Sequence, residues 1–240
     1  MKVTEEEVRL AGQIRSIVIR PVGDGPWPGV LFYTDIFQLT ESTLRTARRL
    51  ASAGFLVCVP EIYPRRLDGV VLEFDDAGKQ AGLDAAAATT TAQFDADRQI
   101  ALDHLAQRAD VTKIQAVGFC LGGHLAFRAA FDPLVEATVC FYPTGLHDGA
   151  LGADDPATLA NASSVRGRLM IIFGSRDPHV PADARATTVR ALYEAGLEDL
   201  ELHIYRGGEH AFMRDVGGRH DPVLTDLALT EAVSFLKERA

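Results

Sequence analysis

Eight residues, Val117-Gly118-Phe119-Cys120-Leu121-Gly122-Gly123-His124, run from an apolar stretch through a glycine-rich turn. A cysteine sulfur at the crest of such a turn is a candidate nucleophile. The spacing Gly118-x-Cys120-x-Gly122 is that of a nucleophile elbow with sulfur in place of a hydroxyl. Small flanking residues let a strand and a helix meet in a tight turn whose dihedrals are unfavourable. The turn lifts the side chain above the sheet. It also aims the N–H of Leu121 at the same point, where a helix N-terminus favours negative charge. Glycine is common, so the short pattern alone is balanced by a bland alternative, a small residue packed at a strand end. Cys58 and Cys140 illustrate that alternative: each lies inside an apolar run and reads as core.

A nucleophile needs a base, and the base needs an orienting group. Both follow Cys120. The apolar run Leu169 to Phe173 ends in Gly174-Ser175-Arg176-Asp177-Pro178-His179, so Asp177 falls in a loop just past a strand. The run Leu200 to Tyr205 ends in Arg206-Gly207-Gly208-Glu209-His210, so His210 falls in another. Nucleophile, acid and histidine in this chain order are the α/β-hydrolase arrangement for acyl transfer. Three separate strand-end loops, each delivering one member, outweigh any single motif. The remaining histidines fit less well. His104 reads as helix surface, His124 as packing, His203 as a strand residue and His220 as solvated, while pocket roles stay open for His147 and His179. No His/Cys/Asp spacing suits a metal, and no glycine pattern suits nucleotide phosphates. Neither a metal nor a cofactor is expected.

These loops require strands that bring them to one edge. Apolar runs at Ile14–Ile19, Gly29–Tyr33, Phe55–Val59, Lys113–Phe119, Ala137–Tyr142, Leu169–Phe173 and Leu200–Tyr205 read as strands. Helical patterns lie between them: Leu44–Ala53 after N-cap residues at Thr40–Thr43, Leu121–Phe131, Ala182–Ala195 and Pro222–Glu238. Strands apolar on both faces and separated by helices predict a mostly parallel central sheet with helices on both faces. Ligands then bind at the C-terminal edge of the sheet. The expectation is a single α/β domain over residues 1–240. A partly helical insertion or lid-like segment spans about 64–91, and a loop-rich stretch spans Pro143 to Arg168.

Composition narrows the class further. The chain has 240 residues, 47% of them hydrophobic, and a formal net charge of -9. Without a basic stripe, nucleic acid is not an expected partner. No apolar run reaches bilayer-spanning length, so a membrane is not expected either. The charged start, Met1-Lys2-Val3-Thr4-Glu5-Glu6-Glu7, does not resemble a signal peptide. Three cysteines do not form a disulfide framework, so a reducing, cytoplasmic setting is expected. The oligomeric state is left open.

The sequence resembles the dienelactone hydrolase family of α/β-hydrolases over nearly its whole length. The resemblance rests on Thr34-Asp35-Ile36-Phe37, Pro60-Glu61-Ile62-Tyr63, Gly118-Phe119-Cys120-Leu121-Gly122-Gly123, Phe141-Tyr142, Gly174-Ser175-Arg176-Asp177 and His210-Ala211-Phe212. It implies an α/β-hydrolase fold and a Cys120–His210–Asp177 triad that cleaves small esters or lactones through an acyl-thioester. It implies an oxyanion hole from the N–H groups of Ile36 and Leu121, and Tyr142 beside the substrate. Where the family's best-known members carry a glutamate that controls the thiol's proton, this chain has Asp35, one methylene shorter. Arg214 matches a position that holds a substrate carboxylate, so the substrate is expected to be anionic. A second such arginine has no clear counterpart, although Arg65, Arg66 and Lys79 are nearby. That departure keeps two further readings in view: a general carboxylesterase or thioesterase, and a binding protein on a hydrolase fold.

Overall fold

The computed structural model describes residues 1–238. Its centre is an eight-stranded sheet. In chain order the strands are β1 (Val3–Leu10), β2 (Ile14–Pro21), β3 (Trp27–Tyr33), β4 (Leu56–Pro60), β5 (Val111–Phe119), β6 (Val135–Phe141), β7 (Arg168–Gly174) and β8 (Leu200–Tyr205). The helices are α1 (Glu41–Ser52), α2 (Asp76–Ala88), α3 (Thr91–Ala106), α4 (Leu121–Ala129), α5 (Ala182–Glu194) and α6 (Pro222–Lys237). In space the strand order is β1-β2-β4-β3-β5-β6-β7-β8. β1 and β2 run antiparallel to their neighbours, and every pairing from β4 to β8 is parallel. This is the α/β-hydrolase architecture expected from the pattern of apolar runs.

Side chains on the central strands alternate between two cores. Leu31, Tyr33 and Cys58 pack on one face with α3, α4 and α5 residues such as Leu102, Leu125 and Leu192. Val30, Phe32 and Val57 pack on the other with Leu44 of α1 and Phe235 of α6. Cys58 and Cys140 are fully buried, as read from the sequence. Local capping agrees as well. Thr40 accepts from the N–H of Thr43 at the start of α1, and Thr90 with Gln93 forms a capping box at α3.

One strand escaped the sequence reading. β1, Val-Thr-Glu-Glu-Glu-Val-Arg-Leu, has no apolar pattern because it is an edge strand with mostly exposed side chains. Its acids are held by arginines of neighbouring elements: Glu5 by Arg48 of α1 and Glu7 by Arg15 of β2.

The segment about 64–91 is part loop and part helix, and it is fastened to the turn after β3. Gln38 Nε2 donates to the carbonyls of Leu67 and Val70, and Leu72 N donates to Phe37 O. The buried Glu61 carboxylate accepts from Gly69 N. In α2, Gly82 lies directly against this turn, where an added Cβ would sit 2.6 Å from Ile36 O. Among the described residues no helix is long and apolar enough to cross a membrane.

Candidate active site

β5 ends at Phe119 and α4 begins at Leu121, leaving Cys120 alone at the turn with φ 58° and ψ −122°. A non-glycine residue in this region is strained, and such strain persists only where the surroundings over-determine it. Here they do. A Cβ on Gly118 would lie 1.9 Å from Gly122 O, and one on Gly122 would lie 2.1 Å from Thr34 O. The expected glycine spacing is thus what lets β5, α4 and the end of β3 approach backbone to backbone.

Cys120 Sγ lies 3.9 Å from Thr144 Oγ1, and Thr144 N donates to Cys120 O. Beneath them His124 is fully buried. Its Nδ1 lies 3.0 Å from Thr144 O, which can only accept, so Nδ1 carries the hydrogen. Nε2 then accepts from the Thr158 hydroxyl at 2.7 Å. Burial lowers the His124 pKa to about 3, which keeps this ring neutral and structural.

The acid and the histidine meet. His210 Nδ1 is 2.8 Å from Asp177 Oδ2, with both side chains almost fully buried. The other oxygen of Asp177 accepts from the N–H groups of His179 and Val180. Burial would raise the Asp177 carboxyl, but its bonds to His210 and to those two N–H groups hold it below the ordinary value. Burial would likewise lower His210. The charge of Cys120 and the bond to Asp177 outweigh that and carry it up to about 9. The His210 ring is wedged edge-to-face between Tyr142 at 5.2 Å and His179 at 4.5 Å.

Asp35 and Arg214 also meet. Arg214 Nη2 donates to Asp35 Oδ2 at 2.7 Å, and Asp35 Oδ1 accepts from Phe37 N. The guanidinium is clamped between the rings of Phe37 (4.8 Å) and Phe74 (4.5 Å).

Cys120, His210 and Arg214 open onto one cavity of about 680 Å³. Ile36 and Leu121 line it too, and neither backbone N–H has an acceptor among the described residues. Asp35 stays outside this lining, behind Arg214. Tyr142, expected beside the substrate, is not brought to the large cavity. With φ 38° and 2% exposure, it is held behind His210 and lines a small hollow with Asp35, Ser42 and Thr43. The nearby arginines are engaged elsewhere: Arg65 with Asp97, and Arg66 with Thr89 and Ala88 O.

His147 and His179, for which pocket roles stayed open, both line the cavity, and Lys79 and Arg219 are among the lining residues not assigned from sequence. For Lys79 the signal was available in part, because Lys79, Leu83 and Ala86 share one helical face of α2. His179 was recognised as adjacent to Asp177. Arg219 carried no signal at all.

Comparison with known proteins bears on the fold and the family. The dienelactone hydrolase family profile matches residues 14–240. A Saccharomyces cerevisiae protein named "Putative carboxymethylenebutenolidase" is 34% identical over 211 residues, covering 85% of this chain and 77% of its own length. An Escherichia coli (strain K12) protein of the same name is 31% identical over 200 residues, covering 80% of this chain and 70% of its own. Among solved structures, a "Putative Dienelactone Hydrolase" from Klebsiella pneumoniae subsp. pneumoniae MGH 78578 superposes with a TM-score of 0.87 at 22% identity, covering all of both chains.

Proposed function

The chain belongs to the dienelactone hydrolase family, and from that premise we propose that it hydrolyses small carboxylic esters or lactones through a covalent thioester on Cys120. The observation that carries this reading is the 2.8 Å His210–Asp177 pair facing the same cavity as a strained Cys120.

Asp177 Oδ2 only accepts, so His210 holds its hydrogen on Nδ1 and leaves Nε2 free to exchange a proton. The Cys120 proton resides on Nε2, in keeping with the raised pKa of His210, and the sulfur attacks the carbonyl carbon as a thiolate. The carbonyl electron pair moves to oxygen, where the N–H groups of Ile36 and Leu121 donate to the oxyanion. Each such donor is worth about 2.7–4 kcal/mol by analogy with known cases. Collapse of the tetrahedral species breaks the C–O bond, and the leaving oxygen takes its proton from His210. Water then gives a proton to His210 and adds to the thioester. The acid departs and the thiol is restored. Sulfur suits an activated ester, such as an enol lactone, whose enolate leaves readily.

In this reading Asp35 governs the nucleophile through Arg214. A substrate anion that reaches the guanidinium competes with Asp35 and so shifts the negative charge held beside the nucleophile. Lys79 on α2 is the second cation facing the same space. A free, partly accessible Cys120 suits a reducing compartment, which makes the cytoplasm the proposed setting.

A second reading, a general carboxylesterase or thioesterase indifferent to substrate charge, is favoured by one observation: Arg214 is already paired with Asp35. Two variants test these readings, and the second separates them. Cys120→Ala is expected to abolish turnover of aryl esters and lactones under both. Arg214→Ala is expected to reduce kcat/KM for anionic esters at least tenfold more than for neutral ones under the first reading, and equally under the second. Wild-type turnover by Cys120→Ala would overturn the nucleophile assignment.

A further inference from the structure

The cavity is divided by the order of the strands. Cys120 follows β5, at the centre of the sheet. The loops after β6, β7 and β8 supply a polar wall of His147, Asp148, His179, His210 and Arg219. The connections after β3 and β4, on the other side of β5, supply an apolar patch of Ile36, Phe37, Phe74, Leu83 and Ala86, edged by Asp75, Asp76 and Lys79. Lys79 stands one turn before Leu83 on α2, and Asp75 and Asp76 begin that helix.

The two walls face different parts of an ester. His210, from the β8 side, hands its proton to the leaving oxygen, so the alcohol portion departs along the polar wall. The acyl portion stays bonded to Cys120 and points toward the apolar wall. At about 680 Å³, the cavity falls in the range that encloses a drug-sized ligand, far more than a compact lactone fills.

A separate observation points the same way. Of the twelve exposed large hydrophobic side chains among the described residues, four (Val70, Val71, Phe74 and Leu83) fall within residues 70–83. Two of the four, Phe74 and Leu83, line the cavity itself. Scattered exposed apolar residues need no explanation, but a concentration at the rim of a cavity marks a ligand surface. The wall is also held in place rather than loosely laid. Gly82 brings α2 against the Ile36 carbonyl, and Gln38 fastens the preceding loop.

We propose that this enzyme takes esters with a long or bulky apolar acyl group, which it reads with the α2 wall formed by Leu83, Ala86 and Phe74. The proposal rests on the ester-hydrolase reading above, and it places the preference on the acyl side of the scissile bond.

The test is a series of 4-nitrophenyl esters, acetate, butyrate and hexanoate, with wild type, Leu83→Asp and Leu227→Asp. Each buried methylene is worth about fourfold, so wild-type kcat/KM is expected to rise at least tenfold from acetate to hexanoate. Leu83 is 44% exposed, so the aspartate does not threaten the core. It is expected to cut the hexanoate-to-acetate ratio at least fivefold. Leu227, exposed on α6 away from the cavity, serves as the control, and its variant is expected to keep the wild-type ratio. A flat or falling wild-type series, or an unchanged ratio in Leu83→Asp, overturns the proposal and leaves the hydrolase reading intact. No turnover of any ester by wild type overturns the hydrolase reading and the proposal with it.

Discussion

Arg214 reaches across 179 positions of sequence to donate to Asp35 at 2.7 Å, and two aromatic rings hold its guanidinium in that pose. The pair is only slightly exposed, 19% for the arginine side chain and 9% for the aspartate. Removing one partner therefore strands the other in a poorly solvated place. Arg214→Gln and Asp35→Asn should each cost about 2–3 kcal/mol of stability. The double variant should recover at least about 1 kcal/mol relative to their sum. Urea denaturation of the four proteins measures this coupling; strict additivity would mean the pair carries no interaction energy.

The acidity of His210 gives a second prediction. Folding raises its pKa from 6.5 to about 9. The protonated ring therefore stabilises the fold fully below pH 6.5, and that contribution is lost as pH rises through about 9. Asp177 works in the opposite sense. Its pKa is held below 3.8, so its contribution is present above pH 3.8 and is lost as pH falls through the lower folded value. The sulfur of Cys120 is one cause of the His210 shift. In Cys120→Ala, NMR titration should find His210 ionising at a lower pH than in wild type. An unchanged midpoint would show that the sulfur and the imidazole are not coupled.

Gly82 supplies a third. A helix normally gains about 0.5–1 kcal/mol when glycine becomes alanine. Here the new methyl would meet Ile36 O at 2.6 Å, and the turn that carries the Ile36 N–H would have to shift. Gly82→Ala should lower kcat about tenfold with KM little changed, a fraction of the 10²–10³ expected for losing an oxyanion donor outright. It should also weaken binding of an aldehyde transition-state analogue. Full activity with a raised Tm would remove Ile36 from the oxyanion hole or α2 from its support.

The elbow glycines supply a fourth. Gly122→Ala forces a methyl to within 2.1 Å of Thr34 O, a backbone contact that no side-chain rotation relieves. The variant should lose at least about 3 kcal/mol of stability, at or beyond the usual upper end for overpacking, and its thermal unfolding should show it. A wild-type Tm would mean that the strand and helix are not locked together here.

How much of this was legible in the sequence depended on distance along the chain. Cys120, Asp177 and His210 could be read because each follows an apolar strand, and strand ends of a parallel sheet converge by construction. Gly118 and Gly122 were legible for the same local reason. β1 was not, because an edge strand with wet side chains shows no apolar rhythm. The Asp35–Arg214 pair was not, because the two residues were recognised singly while their contact is a product of tertiary packing. Tyr142 was expected beside the substrate; its left-handed backbone, φ 38°, and its burial behind His210 are features that no residue type announces. The α2 wall depends on how a segment read only as lid-like packs against Ile36, which the helical phase of Lys79, Leu83 and Ala86 hints at without placing.

The central claim is that chemistry passes through a thioester on Cys120, and the most direct measurement is to trap that species. Wild-type protein mixed with a 4-nitrophenyl ester is quenched in acid within the first turnover, and the digest is analysed by mass spectrometry. The acyl group should be found on the peptide containing Cys120, removable by hydroxylamine, and absent from Cys120→Ala. Turnover with no acyl adduct, or with the adduct on another residue, would contradict the account.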